Sequence, residues 1–120
     1  MKVALFLCAF GLVFAEQSPD REGNFDIRIE PTAKVQTGVQ VPFQIKVNDS
    51  LNKPVFDAKV TMRIENANHT ETQTFKAPAI NPGVYVAKPV FPAAGDWTAS
   101  VEVRRSDQVS TRSISVAVSD

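Results

Sequence analysis

The sequence is poor in the residues that form covalent cross-links and metal sites. It contains one cysteine, one histidine and two methionines among its 120 residues. The cysteine, Cys8, lies in an N-terminal apolar segment, so the rest of the chain has no thiol for a disulfide, for nucleophilic catalysis or for a soft metal. A domain built from the remaining residues therefore depends on burial of its core alone.

Charge and glycine are equally limited. The 13 basic and 13 acidic residues balance, and the longest basic cluster is Arg104-Arg105. This balance excludes a strong electrostatic attraction to nucleic acid or anionic lipid. The five glycines form no phosphate-binding loop, and no serine lies in a Gly-x-Ser-x-Gly motif. We therefore predict a protein that is not an enzyme, with no catalytic residues and no cofactor.

The first 15 residues have the three parts of a secretory signal peptide. Lys2 supplies a positive charge, residues 3–15 are an apolar run, and Val13 and Ala15 are small residues at the positions that precede a cleavage site. We predict that residues 1–15 are removed and that residues 16–23 form a flexible leader. An uncleaved membrane anchor is the alternative, although so short a helix spans only about 20 Å of an apolar core about 30 Å thick.

From residue 24 onward, apolar and polar residues alternate in short segments, which is typical of strands with one face in a core. Turn residues separate these segments. One domain over residues 24–120 is therefore predicted to be all-β, an immunoglobulin-like β-sandwich of about seven antiparallel strands. The predicted strands cover residues 25–29, 39–47, 56–64, 71–76, 84–91, 97–103 and 114–118.

Some strand positions can also be predicted. Residues 71–76 are polar except for Phe75, which favours an edge strand, because an edge needs less apolar surface. Pro42 and Pro89 fall inside predicted strands, and each lacks a backbone donor. We therefore expect both prolines at edges or bulges.

The alternation also predicts which side chains are buried. Val39 and Phe56 each lie on the apolar face of a predicted strand. Trp97 begins the apolar face of another, which favours a core position over a role in stacking on a ligand. In residues 84–91, the face with Tyr85 and the face with Val84 are both apolar, and the pattern does not decide between them.

Three segments of the chain resemble one family of bacterial envelope proteins. Residues 52–60, Asn-Lys-Pro-Val-Phe-Asp-Ala-Lys-Val, are similar to the third strand of the YtkA-like domain, a β-sandwich related to the FixH proteins. Residues 82–85, Pro-Gly-Val-Tyr, and residues 95–97, Gly-Asp-Trp, resemble the Pro-Gly-x-Tyr and Gly-x-Trp strands of that family. With the flanking strands, the resemblance covers most of the chain after residue 15.

The resemblance implies copper handling or assembly of respiratory oxidases, because many members of the family are similar to proteins with those roles. Several members carry a loop rich in methionine and histidine after the third strand. Here the corresponding residues 64–71 retain His69 but contain no methionine, and the phase of Met62 places it in the core. His69 with Glu65 and Glu71 is the best constellation available, but copper and zinc sites need more ligands. We therefore predict no metal site, with His69 as the one candidate ligand.

Three classes of function are compatible with these features. A non-enzymatic exported module that binds an envelope protein partner fits the composition and the fold best. Periplasmic copper handling, or an accessory role in oxidase assembly, is the alternative and follows from the family alone. An extracellular adhesion or carbohydrate-binding domain is the third class, and its sign would be an exposed aromatic patch. We expect a periplasmic or extracellular protein that binds no nucleic acid and, once cleaved, no membrane strongly.

Overall fold

The computed structural model describes residues 21–22 and 25–120, so the predicted signal peptide and most of the predicted leader lie outside the described residues. The described residues form nine strands and include no helix that could span a membrane. The strands are β1 (Arg21–Glu22), β2 (Asp26–Pro31), β3 (Phe43–Asn48), β4 (Lys59–Asn66), β5 (Thr72–Lys76), β6 (Ala79–Asn81), β7 (Val84–Ala87), β8 (Gly95–Arg105) and β9 (Gln108–Val118).

The strands form two sheets. One has the order β1-β9-β8-β4-β5, and the other has the order β2-β3-β7-β6. β1 runs parallel to β9, whereas the other neighbouring strands are antiparallel. Because each long strand buries one face and exposes the other, the apolar faces of the two sheets form a single core between them. The predicted all-β sandwich is confirmed.

Seven of the nine strands correspond to the predicted ones, and β1 and β6 are additional. β1 consists of two residues of the predicted leader, which pair with Gln108 and Val109 of β9. β6 lies where Pro78 and Pro82 indicate a turn. It pairs with β7 through a register shift, and alternation cannot reveal a strand that is so short and irregular.

An aromatic cluster occupies the core between the sheets. Phe91 packs against Phe43, with ring centroids 6.1 Å apart, and edge-on against Trp97, with centroids 5.5 Å apart. Trp97 is only 3% exposed, and its Nε1–H donates to the Ala93 carbonyl at 2.9 Å. The predicted core position of Trp97 is confirmed. In β7 the face with Tyr85 is the buried one, which decides the phase that the pattern left open.

Two side chains predicted on buried faces are exposed. Phe56 is 50% exposed and Val39 is 46% exposed. β3 begins at Phe43 and β4 at Lys59, so neither residue lies in a strand and the alternation does not apply to it. Asp57 has a φ of +58°. This left-handed conformation turns the backbone between Phe56 and β4, so the direction of the Phe56 side chain does not follow the alternation of β4.

The structure shows where the predicted edge strand and the two prolines lie. β5 ends the five-stranded sheet, so the predicted edge strand is confirmed. Pro42 immediately precedes β3, and Pro89 lies after the end of β7. The prediction that both prolines lie inside strands, at edges or bulges, was wrong, because the strands are shorter than the apolar pattern indicates. The Pro42 carbonyl still accepts a bond from the Thr32 amide at 3.0 Å.

Candidate functional site

Two of the segments that carry the family resemblance, residues 52–60 and 82–85, meet at the end of β3. The Val47 amide donates to the Gly83 carbonyl at 2.8 Å, and the Val55 amide donates to the Val47 carbonyl at 3.0 Å. Gly83 has a φ of +74°, and a Cβ on it would lie 2.7 Å from the Cβ of Pro54. Because only glycine allows this approach without a shift, these segments act as a structural joint.

Tyr85 closes the same joint from the core side. It is buried, and its hydroxyl donates to the Val55 carbonyl at 2.8 Å and accepts from the Ala58 amide at 3.4 Å. These two bonds hold both ends of residues 55–58, the segment that leads into β4. The segment is therefore anchored at its ends, and Phe56 lies at the surface between the anchors.

The turn before this joint is organised by one carboxylate. Asp49 Oδ1 accepts bonds from the Leu51 and Lys53 amides, each at 2.9 Å. The bond from the Lys53 amide is the largest of the causes that lower the pKa of the Asp49 carboxyl. Because the pKa is lowered in the folded state, this contribution to stability is present above the usual carboxyl range and is lost as the pH falls below it.

A groove lies on the surface beside the joint. Its larger part has a volume of about 480 Å³ and lies between the beginning of β4 and the passage from β5 to β6. Its smaller part has a volume of about 300 Å³ and lies between residues 56–57 and β6. The two parts adjoin, because Asp57, Ala79 and Tyr85 line both.

The residues that line the groove include exposed apolar and charged side chains. Phe56 and Ile80 line the smaller part and are 50% and 55% exposed. Lys59 and Lys76 line the larger part, and Asp57 lines both. The left-handed φ of Asp57 is uncommon outside glycine and costs about 1–2 kcal/mol for an L-residue, although aspartate tolerates it better than most. Residues in such uncommon backbone conformations cluster at functional sites.

The candidate metal ligand His69 lies in the hairpin loop between β4 and β5. Its side chain is 75% exposed, and its Nδ1 lies 3.2 Å from Glu65 Oε2. Asn66 organises the loop, since its Oδ1 accepts bonds from the Thr70 and Glu71 amides at 2.9 and 3.1 Å. Of the predicted constellation, the structure thus brings Glu65 to His69.

Glu71 does not complete that constellation. Within residues 21–22 and 25–120, no group of three or more His, Cys, Asp or Glu side chains is arranged to hold a metal ion. Met62 faces the core and is fully buried, so it does not reach the loop. His69 and Glu65 alone would leave most positions around a metal to water.

Copper binding can be tested directly on these residues. We expect no stoichiometric complex at micromolar metal, because one imidazole and one carboxylate hold Cu(II) weakly and Cu(I) prefers sulfur ligands. Any residual binding should disappear in His69→Ala, because the imidazole would supply the main ligand. The measurement is competitive titration against a chelator, with Cu(I) and Cu(II) tested separately. A one-to-one complex tighter than about 0.1 μM would support a metal carrier instead.

The architecture places the chain among immunoglobulin-like β-sandwiches. The crystal structure of the Lin-41 filamin domain is similar to it, with a TM-score of 0.60 and 11% sequence identity, over 84% of this chain and 97% of that chain. At this identity the similarity shows the fold alone. A sequence profile of the YtkA-like family matches residues 20–102, and the chain belongs to that family. No curated protein matches the chain.

The family match includes both segments of the joint and the residues that line the groove, whereas β9 lies beyond it. Immunoglobulin-like sandwiches and YtkA-like domains are typically non-catalytic. The features that the family shares with this sequence, Gly83 and Tyr85 among them, have structural roles here. The resemblance therefore supports the fold more directly than it supports a particular ligand.

Sequence reasoning missed the groove. The alternation predicts that Phe56 faces the core, and Ile80 lies between Pro78 and Pro82, where the prolines indicate a turn. One signal was present in the sequence, because Phe56 and Ile80 are large apolar residues within segments rich in proline, asparagine and aspartate. Their juxtaposition across the two sheets could not be predicted, since it depends on the passage from β5 to β6.

Proposed function

We propose that this chain is a non-enzymatic module, exported to the cell envelope, that binds a partner protein through the groove beside Phe56 and Ile80. One observation supports the proposal above all. These two large apolar residues are half-exposed and line the same depression. Among residues 25–120, the two other exposed large apolar residues, Val39 and Leu51, line neither part of the groove.

The energy available at the groove is sufficient for a specific but modest contact. Complete burial of a Phe or Ile side chain contributes about 1.5–3 kcal/mol, so covering the exposed halves of both contributes roughly 2–3 kcal/mol. A difference of about 1.4 kcal/mol changes an affinity tenfold. Phe56 and Ile80 would therefore act as central anchors, with the rest of the contact supplied by backbone and polar groups.

The occupant we propose is an extended apolar segment of an envelope protein that carries an acidic residue beside its apolar ones. The two adjoining parts of the groove are lined by the start of β4 and by the edge strand β6, so an extended segment could contact both. Lys59 and Lys76 outnumber Asp57 among its charged lining residues. This excess of positive charge favours a negatively charged neighbour and disfavours a basic one.

Site-specific cross-linking in the intact envelope tests the proposal. A photo-reactive p-benzoylphenylalanine in place of Ile80 should yield one defined adduct, and the cross-linked peptide should contain an apolar segment with a nearby Asp or Glu. Adding Phe56→Ser should lower the yield about tenfold, because one of the two anchors is lost. The matched control places the same probe at Leu51, which is 74% exposed but lies outside the groove. Identical adducts from both positions, or none from position 80, would contradict the proposal.

Export is the second part of the proposal and has its own test. The signal sequence predicts that the mature chain begins at Glu16. Intact-mass measurement of the protein from the envelope fraction should give the mass of residues 16–120. A mass that retains residues 1–15 would show a membrane anchor instead.

A further inference from the structure

The outer edge of β5 carries backbone groups that face away from the sandwich. The Ala77 amide donates to the Val60 carbonyl, and the Asn66 amide donates to the Glu71 carbonyl. Both pairs continue the β4–β5 register. In an antiparallel ladder, bonded and outward positions alternate along a strand, so every second residue of β5 directs its N–H and C=O outward. The outward residues are Thr72, Thr74 and Lys76.

β5 differs from the other sheet edges among the described strands. β1 has two residues, and β6 has three residues and a register shift. β2 is longer. The Thr32 amide bonds to the Pro42 carbonyl, so the preceding residue, Pro31, occupies an outward position of β2. Proline has no backbone donor to offer another strand there. β5 has no proline and no shift in its pairing. It is therefore the edge best able to accept another strand.

We propose that the strand added to β5 is β5 of a second copy of this chain, in an antiparallel pair centred on Thr74. Outward residues must meet outward residues to form the bonded pairs. Thr74 then lies opposite Thr74 of the second copy, and Thr72 lies opposite Lys76 of the second copy, on both sides of a twofold axis. Three residues from each copy contribute both a donor and an acceptor. The two five-stranded sheets become one continuous sheet.

Charge complementarity is the reason for choosing a second copy in this orientation. Glu65 lies opposite Thr72 on the solvent face. In the dimer, Thr72 of one copy lies between Glu65 of the same copy and Lys76 of the second copy. The Cα atoms of Glu65 and Lys76 are then two strand spacings, or about 10 Å, apart. Lysine and glutamate side chains are long enough to meet across that distance. A parallel pair would instead place Lys76 against Lys76, which is unfavourable.

The opposite face of β5 supplies an apolar contact at the same axis. Phe75 is partly buried and packs against the core of its own domain. In the proposed register it lies opposite Gln73 of the second copy, so the two Phe75 rings are diagonal neighbours, about 7–8 Å apart between Cα atoms. Dimerisation thus covers the exposed part of each ring and joins the margins of the two cores.

Sedimentation velocity of the exported chain over about 10 μM to 1 mM, the range expected for a small interface, should show a reversible monomer–dimer equilibrium. Thr74→Pro removes the two central backbone bonds, and Thr74→Lys places like charges at the axis. Each should weaken dimerisation about tenfold or more. Far-ultraviolet circular dichroism checks that each variant keeps its fold. A monomer at every concentration, or a dimer that both variants leave unchanged, would overturn the proposal.

Disulfide trapping tests the register itself. In a chain with Cys8→Ser, Thr74→Cys should form a covalent dimer under mild oxidation, because Cα atoms of a bonded pair lie about 5.5 Å apart, within the range for a disulfide. Thr72→Cys and Lys76→Cys should not cross-link alone, but an equimolar mixture of the two should. A dimer from Thr72→Cys alone would overturn the register. Cross-linking of position 74 to a different protein would assign this edge to that partner and overturn the proposed dimer.

Discussion

Replacing Trp97 with alanine is expected to lower the free energy of unfolding by about 3–5 kcal/mol. Trp97 is 3% exposed and packs edge-on against Phe91, 5.5 Å between centroids. Its removal leaves a cavity between the sheets and a carbonyl, that of Ala93, without its donor. Since domains of this size are stable by only about 5–15 kcal/mol, much of the population could unfold. The measurement is urea denaturation followed by far-ultraviolet circular dichroism, which does not depend on tryptophan fluorescence.

Two further variants make this result specific. Trp97→Phe keeps an aromatic ring but loses the Nε1–H. It should cost less than the alanine variant, and its own cost should include about 1 kcal/mol for the lost hydrogen bond. Ile80→Ala, at a residue that is 55% exposed, should change stability by only about 0.5 kcal/mol. A loss below about 1 kcal/mol for Trp97→Ala would be incompatible with a core anchor. It would return ligand stacking to consideration.

Gly83→Ala is expected to destabilise the domain more than Gly38→Ala, although both glycines have a φ of +74°. The left-handed backbone alone costs alanine about 1–2 kcal/mol. Around Gly38 an added Cβ would meet nothing within 4 Å, whereas at Gly83 it would lie 2.7 Å from Pro54 Cβ and 3.1 Å from the Val47 carbonyl oxygen. Overpacking of this kind adds about 1–3 kcal/mol. The difference between the two variants in chemical denaturation therefore measures the closeness of the joint.

A double-mutant cycle identifies the clashing atom. Pro54→Gly removes the Cβ nearest to position 83, so Gly83→Ala should cost less in that background than in the original chain. Additive effects of Pro54→Gly and Gly83→Ala, or equal costs at Gly83 and Gly38, would show that the joint yields freely. In that case the Pro-Gly-x-Tyr segment would not have the structural role assigned to it here.

The long strands could be predicted because the packing of two sheets imposes a period of two on the sequence. In β8, Val101 and Val103 are fully buried while Glu102 between them is exposed, as the alternation predicts. The edge position of β5 could be predicted from its polar composition, because an edge strand needs less apolar surface. The pattern failed at Phe56, because nothing local shows that β4 begins only at Lys59. The Tyr85 hydroxyl that anchors this segment lies about 30 positions away in the sequence.

For the candidate sites too, some features could be predicted from the sequence and others could not. The scarcity of histidine, cysteine and methionine is the sequence argument against a copper site, since copper prefers sulfur and imidazole ligands. The groove beside Phe56 and Ile80 and the open edge of β5 could not be predicted as sites. Each depends on which elements become neighbours, and β5 and β6 belong to different sheets although only two residues separate them.

The sequence by itself determined the class of fold, most of the buried side chains and the family. The alternation of apolar residues and the segment with Gly83 and Tyr85 are local signals, because each involves residues that are close together in the sequence. The tertiary structure alone decided which strands pair, where β6 lies and which apolar residues remain exposed. The physical reason is that alternation specifies the face that a strand buries. It does not specify the neighbouring strand, because every strand offers the same backbone donors and acceptors.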